Sequence, residues 1–188
     1  MTKANYSDKK HVVNILRKSF DDNKSVNYII KQDKNRIRRI TNLMAYSFEM
    51  CYSFGNVFLS EDRMGCALVL LPDTKKNLRS TLLDLSLAVS SIGLTNLRRA
   101  LTRESKIKKI YPKELIYYLW FIGVEPEAQN KGIGTSLLKE VIEEGTKLNR
   151  LVCLETSTER NIPWYKKLGF TIYNELHLGY RLYFLKKE

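Results

Sequence analysis

Cysteine is scarce in this chain of 188 residues: Cys51, Cys66 and Cys153 are far apart and odd in number. That excludes a disulfide framework and fits a reducing compartment. Histidine is scarcer still, only His11 and His177, so no zinc-ligand spacing exists and no metal is expected. Four prolines and nine glycines exclude a collagen-like or low-complexity chain. Apolar runs such as Cys66 to Leu71 fall well short of the roughly 20 residues that cross a bilayer. The opening MTKANYSDKKHVV carries no signal-type apolar stretch. A soluble, cytoplasmic protein without a membrane partner is therefore expected. Acidic residues are also in short supply, 20 against 32 Lys+Arg, for a net charge of +12. That excess suits anionic partners but does not choose between a nucleic acid and a phosphorylated cofactor. With 44% apolar and 28% charged residues, the chain reads as one globular domain over 1–188.

Periodicity places the elements. Val12, Val13, Leu16 and Phe20 mark a helix over 11–20, with Ser7 or Asp8 as its cap. The polar stretch 20–33 reads as loop or short helical turns. Ile37, Ile40, Met44, Phe48 and Cys51 line a second helix over about 34–52. Strands at 56–60 and 66–71 form a hairpin. Residues 74–110 read as a helical insertion, with Leu78, Leu82, Leu85, Val89 and Ile92 on one stripe and a break at Gly93. The run LIYYLWFIGV (115–124) is a central strand buried on both faces. A helix over about 131–148, a strand at 151–156, a short helix at 161–168 and strands at 170–175 and 180–186 complete the chain. Strand 115–124, helix and strand 151–156 make a βαβ unit, so those two strands should be parallel. The fold class is α/β: a mixed sheet of six or seven strands with helices on both faces.

Two stretches carry chemistry. Gln129-Asn130-Lys131-Gly132-Ile133-Gly134-Thr135 joins the buried strand to an amphipathic helix. Free amides at a helix start, the positive end of its dipole and Lys131 suit a phosphate, and the glycines let it come close. The same letters also suit a ligand-free turn. Walker A, dinucleotide and nucleophile-elbow patterns are absent. In the second stretch, Asn161 can cap the short helix, Pro163 fits its first turn and Gly169 suits a left-handed C-terminal cap. Tyr165 lies one turn in, where packing is the competing role.

Taken together, Val124-Glu125-Pro126, Gln129-x-x-Gly132-x-Gly134 and the later Asn161, Tyr165 and Leu168-Gly169-Phe170 resemble the GNAT superfamily of acetyl-CoA-dependent N-acetyltransferases. Within it, LETSTERNIPWYKKLGF and the long insertion resemble the puromycin N-acetyltransferase branch. Residues 115–186 carry the resemblance; the N-terminal half shares only the order of elements, with a first strand reduced to Ala4–Tyr6. The resemblance implies a GNAT fold and acetyl-CoA as co-substrate. Its pantetheine arm would lie in a gap between strands 119–124 and 151–156, against backbone at Ile122, Gly123 and Val124 and the side chain of Asn161. Its pyrophosphate would sit on the Gln129–Gly134 amides with Thr135 nearby. Tyr165 would aim its hydroxyl at the thioester sulfur.

The expected activity is acetyl transfer to the primary amine of a small molecule, by direct attack in a ternary complex. A backbone N–H near Ile122 would hold the oxyanion and Tyr165 would act as general acid. Glu155, on the strand beside the gap, is the candidate base; its competing role is an ion pair near the sheet end. A Cys153–His177 nucleophile pair is the weakest alternative. Asp21 and Asp22 are candidates to attract a cationic amine, with Tyr28, Tyr117, Tyr118 and Trp120 as aromatic walls. The basic clusters Lys31–Arg39 and Arg98–Lys109 read as solvated faces. Rival functions are a peptide or protein α-amine acetyltransferase and a basic nucleic-acid-binding module. A homodimer is kept as a candidate assembly.

Overall fold

The computed structural model describes residues 1–74 and 78–188. Among the described residues seven α-helices and seven strands follow one another: β1 Thr2–Lys3, α1 Lys9–Ser19, α2 Lys24–Ile29, α3 Arg36–Phe54, β2 Gly55–Leu59, β3 Gly65–Leu70, α4 Leu78–Leu87, α5 Leu94–Lys108, β4 Ile116–Val124, α6 Ile133–Lys147, β5 Leu151–Thr156, α7 Ile162–Lys167, β6 Thr171–His177 and β7 Arg181–Lys187. They form a mixed sheet in the order β1-β2-β3-β4-β5-β7-β6, antiparallel except for β4 and β5. The first strand falls two residues before the expected one, at Thr2–Lys3, paired with Leu59 and Phe58. The stretch read as loop or short helical turns contains the short helix α2, which the Asn23 side chain caps by accepting from the Val26 N–H at 3.0 Å.

Helices cover both faces. α1 and α3 bury Val12, Ile15, Leu16, Ile40, Met44 and Phe48 against Val57, Leu59, Leu68 and Phe121. On the opposite face α6 and α7 press Leu138, Val141 and Tyr165 onto Tyr117, Leu119, Val152 and Leu154. Ile37 does not join the α3 stripe; it is 57% exposed, since the first turn of that helix extends beyond the core.

The insertion holds α4, a wider π-type turn at Ala88–Ile92 and α5. Residues 75–77, expected as helical, lie outside the described residues. Gly93 breaks the tract at φ 73°, a backbone state that other residues avoid. The expected apolar stripe fails at Leu82 and Leu85, which are 60% and 64% exposed. The helix turns the side bearing Asp84 and Leu87 inward instead, toward a cavity.

One irregularity in the sheet positions the site. Leu68 pairs with Phe121 and Val69 with Leu119, leaving Trp120 as an extra residue on β4. Such a bulge bends and twists its strand. β4 and β5 stay paired only from Ile116↔Leu151 to Leu119↔Leu154, although β4 runs on to Val124 and β5 to Thr156. Past that point the two parallel strands diverge. The bulge also puts Trp120 and Phe121 together on the α1/α3 face and turns Ile122 toward α6 and α7.

Candidate active site

A cavity of about 660 Å³ passes through the gap between β4 and β5. Of the residues singled out in the sequence for cofactor binding and catalysis, it brings together Ile122, Val124, Gly134, Glu155, Asn161 and Tyr165. Gly123, Gln129, Asn130, Lys131, Gly132, Ile133 and Thr135 do not line the cavity; they belong to the end of β4 and the turn that opens α6.

That turn is shaped by left-handed backbone at Asn130 (φ 63°) and Gly132 (φ 85°). The first intrahelical bond of α6 runs from the Ser136 N–H to the Gly132 carbonyl at 2.9 Å, so the amides of Ile133, Gly134 and Thr135 precede the helical ladder. A Cβ on Gly132 would meet nothing within 4 Å, and one on Gly134 only Val124 and Trp164 at 3.6–4.0 Å. An open, amide-lined helix start with exposed Lys131 beside it fits a diphosphate. Two side chains there are already engaged. Thr135 Oγ1 accepts from Trp164 Nε1 at 3.0 Å, tying α6 to α7. Gln129 Nε2 donates to the Val124 carbonyl at 3.2 Å, and Ser19 Oγ donates to the same oxygen at 2.9 Å. Both lone pairs of that carbonyl are used, so any ligand N–H bonding there would have to displace the exposed Gln129 side chain.

Asn161 starts α7 but its side chain makes no capping bond, contrary to the expected cap, and it lines the cavity instead. Gly169 has the expected left-handed conformation, φ 87°. Tyr165 is buried, its ring 4.6 Å from Trp164 and 5.9 Å from Phe170. Burial pushes the phenol far above its ordinary value, which keeps it protonated at working pH. Tyr165→Phe retains these ring contacts. In single-turnover assays with acetyl-CoA and an accepted amine, the chemical step should slow at least about tenfold. An unchanged step removes Tyr165 from the chemistry.

Glu155 occupies the other side of the gap. Tyr118 donates to its Oε1 at 3.1 Å, and Arg103 Nη2 lies 3.5 Å from Oε2. Burial raises the carboxyl to about 7, against the lowering pull of Arg103 and Tyr118. A base poised near neutrality is suited to taking a proton from an ammonium. Cys153 and His177 do not meet. Cys153 is buried in line with Lys186 and Thr171, whereas His177 is exposed six residues farther along β6, about 20 Å away at strand spacing.

The helix-covered half of the cavity is largely apolar, with Leu43, Tyr46, Met50, Leu87, Ile92, Leu97 and Trp120 in its walls. Its carboxylates are Asp84, Glu104 and Glu155. Tyr46 donates to Asp84 and Lys108 pairs with Glu104 at 3.5 Å. The expected amine-attracting pair is corrected: neither Asp21 nor Asp22 lines the cavity, and Asp21 binds Arg36 at 2.8 Å. Among the expected aromatic walls, Tyr118 and Trp120 line it. Tyr117 points to the opposite core, and Tyr28 packs under Tyr180 at 5.2 Å. Sequence reasoning missed Arg103, Trp164, Asp84 and Glu104. Arg103 had one readable signal: it precedes buried Ile107 by four residues and so shares the inward face of α5.

Residues 97–172 match the family model described as acetyltransferase (GNAT) domain. Among solved structures, one described as histone acetyltransferase HPA2 and related acetyltransferase from Corynebacterium glutamicum is 21% identical over 99% of this chain and 93% of its own, with a TM-score of 0.74. The C-terminal condensation domain of Ebony, solved with beta-alanyl-dopamine, is 11% identical over 100% and 97%, with a TM-score of 0.73. Arylalkylamine N-acetyltransferase 2 from Aedes aegypti is 15% identical over 99% and 96%, with a TM-score of 0.64. The chain thus has the fold of GNAT acetyltransferases. Among the described residues, no helix is long and apolar enough to cross a membrane.

Proposed function

We propose that this protein is an acetyl-CoA-dependent N-acetyltransferase that acts in the cytoplasm on the primary amine of a small, mostly apolar molecule. The observation that carries this reading is the β4–β5 gap, which opens into a cavity with Glu155 and Tyr165 on its walls and the start of α6 beside it. The amides of Ile133, Gly134 and Thr135, with Lys131, would hold the pyrophosphate. Backbone at Ile122–Val124 and the side chain of Asn161 would hold the pantetheine arm. Bound there, acetyl-CoA supplies an activated acetyl thioester.

The chain's own groups do the rest. Glu155 takes a proton from the ammonium of the acceptor, leaving a nucleophilic amine and a neutral carboxylic acid. An N–H near Ile122 offers a donor for the developing oxyanion. Tyr165 holds its phenolic proton on the α7 side of the gap, available to the departing sulfur. α4 and α5 wall the acceptor side, and their enclosure supports a small molecule over a peptide. The resemblance of 154–170 to the puromycin branch points the same way.

Incubation with acetyl-CoA and a panel of apolar amines, polyamines, N-terminal peptides and nucleic acids tests this reading. Thiol release with one acetyl group added to an apolar amine is expected. Preferential acetylation of peptides would favour the peptide reading, and salt-sensitive nucleic-acid binding without transfer the binding-module reading.

A further inference from the structure

We propose that Arg103, supplied by the helical segment between β3 and β4, is the positioning residue for Glu155: it faces one carboxylate oxygen, fixes the carboxylate's orientation and favours its charged, working form. This rests on the reading of Glu155 as the base.

Cavity-lining cations among the described residues are Arg103 and Lys108. They differ in kind. The Lys108 side chain is 59% exposed and pairs with Glu104, whereas the Arg103 side chain is 15% exposed. Burying a guanidinium is costly unless it is paired and hydrogen-bonded. Here its donors are shared among three elements. Nε donates to the Tyr180 hydroxyl at 3.1 Å, at the β6–β7 turn, and Nη2 donates to Ser25 Oγ on α2 at 2.8 Å. The same Nη2 faces Glu155 Oε2 on β5.

The partners are themselves fixed. Tyr180 donates to Ser25 Oγ at 3.2 Å, and the Ser25 N–H donates to Ser157 Oγ at 3.3 Å, just beyond β5. A closed circuit therefore runs from the end of β5 through α2 and Arg103 back to β5. Because Tyr118 holds Oε1 and Arg103 faces Oε2, the carboxylate plane is set from two directions. A lysine would keep the charge but not the planar fork that reaches Tyr180 and Ser25 together.

The electrostatic consequence has a definite sign. Groups that act on Glu155 are Arg103 and Glu104 from α5, Tyr111 after it, Tyr118 from β4 and Tyr173 from β6. Burial and Glu104 favour the neutral acid; Arg103 and the Tyr118 hydrogen bond favour the carboxylate. Among the charged groups named, Arg103 is the cation. Removing it leaves burial and Glu104 opposed only by the Tyr118 hydroxyl, so the base should need a higher pH to ionise.

The test compares Arg103→Gln, Arg103→Lys and Glu155→Gln in the full chain. Each is measured for the pH dependence of kcat at saturating amine and for the Glu155 carboxyl by carbon-13 NMR titration. Arg103→Gln should move both the acid limb and the NMR midpoint up by about one pH unit or more, with acetyl-CoA affinity unchanged. Arg103→Lys should restore much of the midpoint but not the full rate. Should Arg103→Gln not fold, Tyr180→Phe, which frees Nε, should cut kcat with little change in KM for acetyl-CoA. An unmoved NMR midpoint in Arg103→Gln, or wild-type kcat in Tyr180→Phe, overturns the proposal. An acid limb near 7 that survives Glu155→Gln overturns the base reading instead, and the NMR midpoint still reports on Arg103 separately.

Discussion

Glu155→Gln should lower turnover by roughly 10²–10⁴-fold, the usual contribution of a positioned acid–base group, and should remove the limb centred near 7, leaving activity that rises only toward the amine's own value of about 10. The side chain keeps its shape, and its amide oxygen can still accept from Tyr118. The sign of the pH effect follows from the raised carboxyl. Below about 7 Glu155 is protonated and cannot accept a proton, so wild-type activity rises as pH passes through about 7. Above the ordinary ammonium value of about 10 the amine loses its proton unaided. The deficit of the variant should therefore be greatest between these limits and shrink on either side. Steady-state assays from acid to alkaline pH check this. A variant with wild-type turnover and pH profile leaves Glu155 with only its ion pair to Arg103.

The second large effect is expected at the start of α6. Gly134→Asp should weaken acetyl-CoA binding by at least about 100-fold, equivalent to about 3 kcal/mol, while α6 remains folded. Asp in the first turn of a helix is favourable to the helix itself, because its carboxylate complements the positive end of the dipole. The same carboxylate would compete with a pyrophosphate for those amides and repel it. Space is available for the side chain, since a Cβ meets Val124 and Trp164 only at ordinary contact distance, 3.6–4.0 Å. Gly134→Ala, which adds bulk without charge, is the control and should lose far less. Calorimetric titration with acetyl-CoA provides the measurement. Unchanged affinity in a folded Gly134→Asp protein moves the diphosphate elsewhere.

Local signals carried the C-terminal half. Strand β5 lies where the sequence reading placed it, at Leu151–Thr156, because a short apolar run directly after an amphipathic helix suits a buried parallel strand. The Gly132 and Gly169 turns were readable because left-handed backbone strongly favours glycine. The α6 stripe of Leu137, Leu138 and Val141 was readable because helical spacing meets one flat sheet face.

Elsewhere local letters misled. Leu82 and Leu85 have helical spacing, yet exposure shows that α4 turns another side inward. Periodicity names a stripe but not the surface that covers it. Asp21 looked available to an amine, but Arg36, fifteen residues later, takes it.

What the sequence determined by itself was the order of elements, the βαβ unit and the candidate groups Glu155, Asn161 and Tyr165, all written in residue type and short-range spacing. The resemblance implied a gap between β4 and β5, but only the tertiary structure supplied its cause, a bulge at Trp120 that depends on register with β3. It alone brought Arg103, 52 positions away in the chain, against Glu155. Ion pairing at such separation depends on how α5 packs across the sheet, and burial, which moves the Glu155 carboxyl toward neutrality, belongs to the folded interior and not to any stretch of letters.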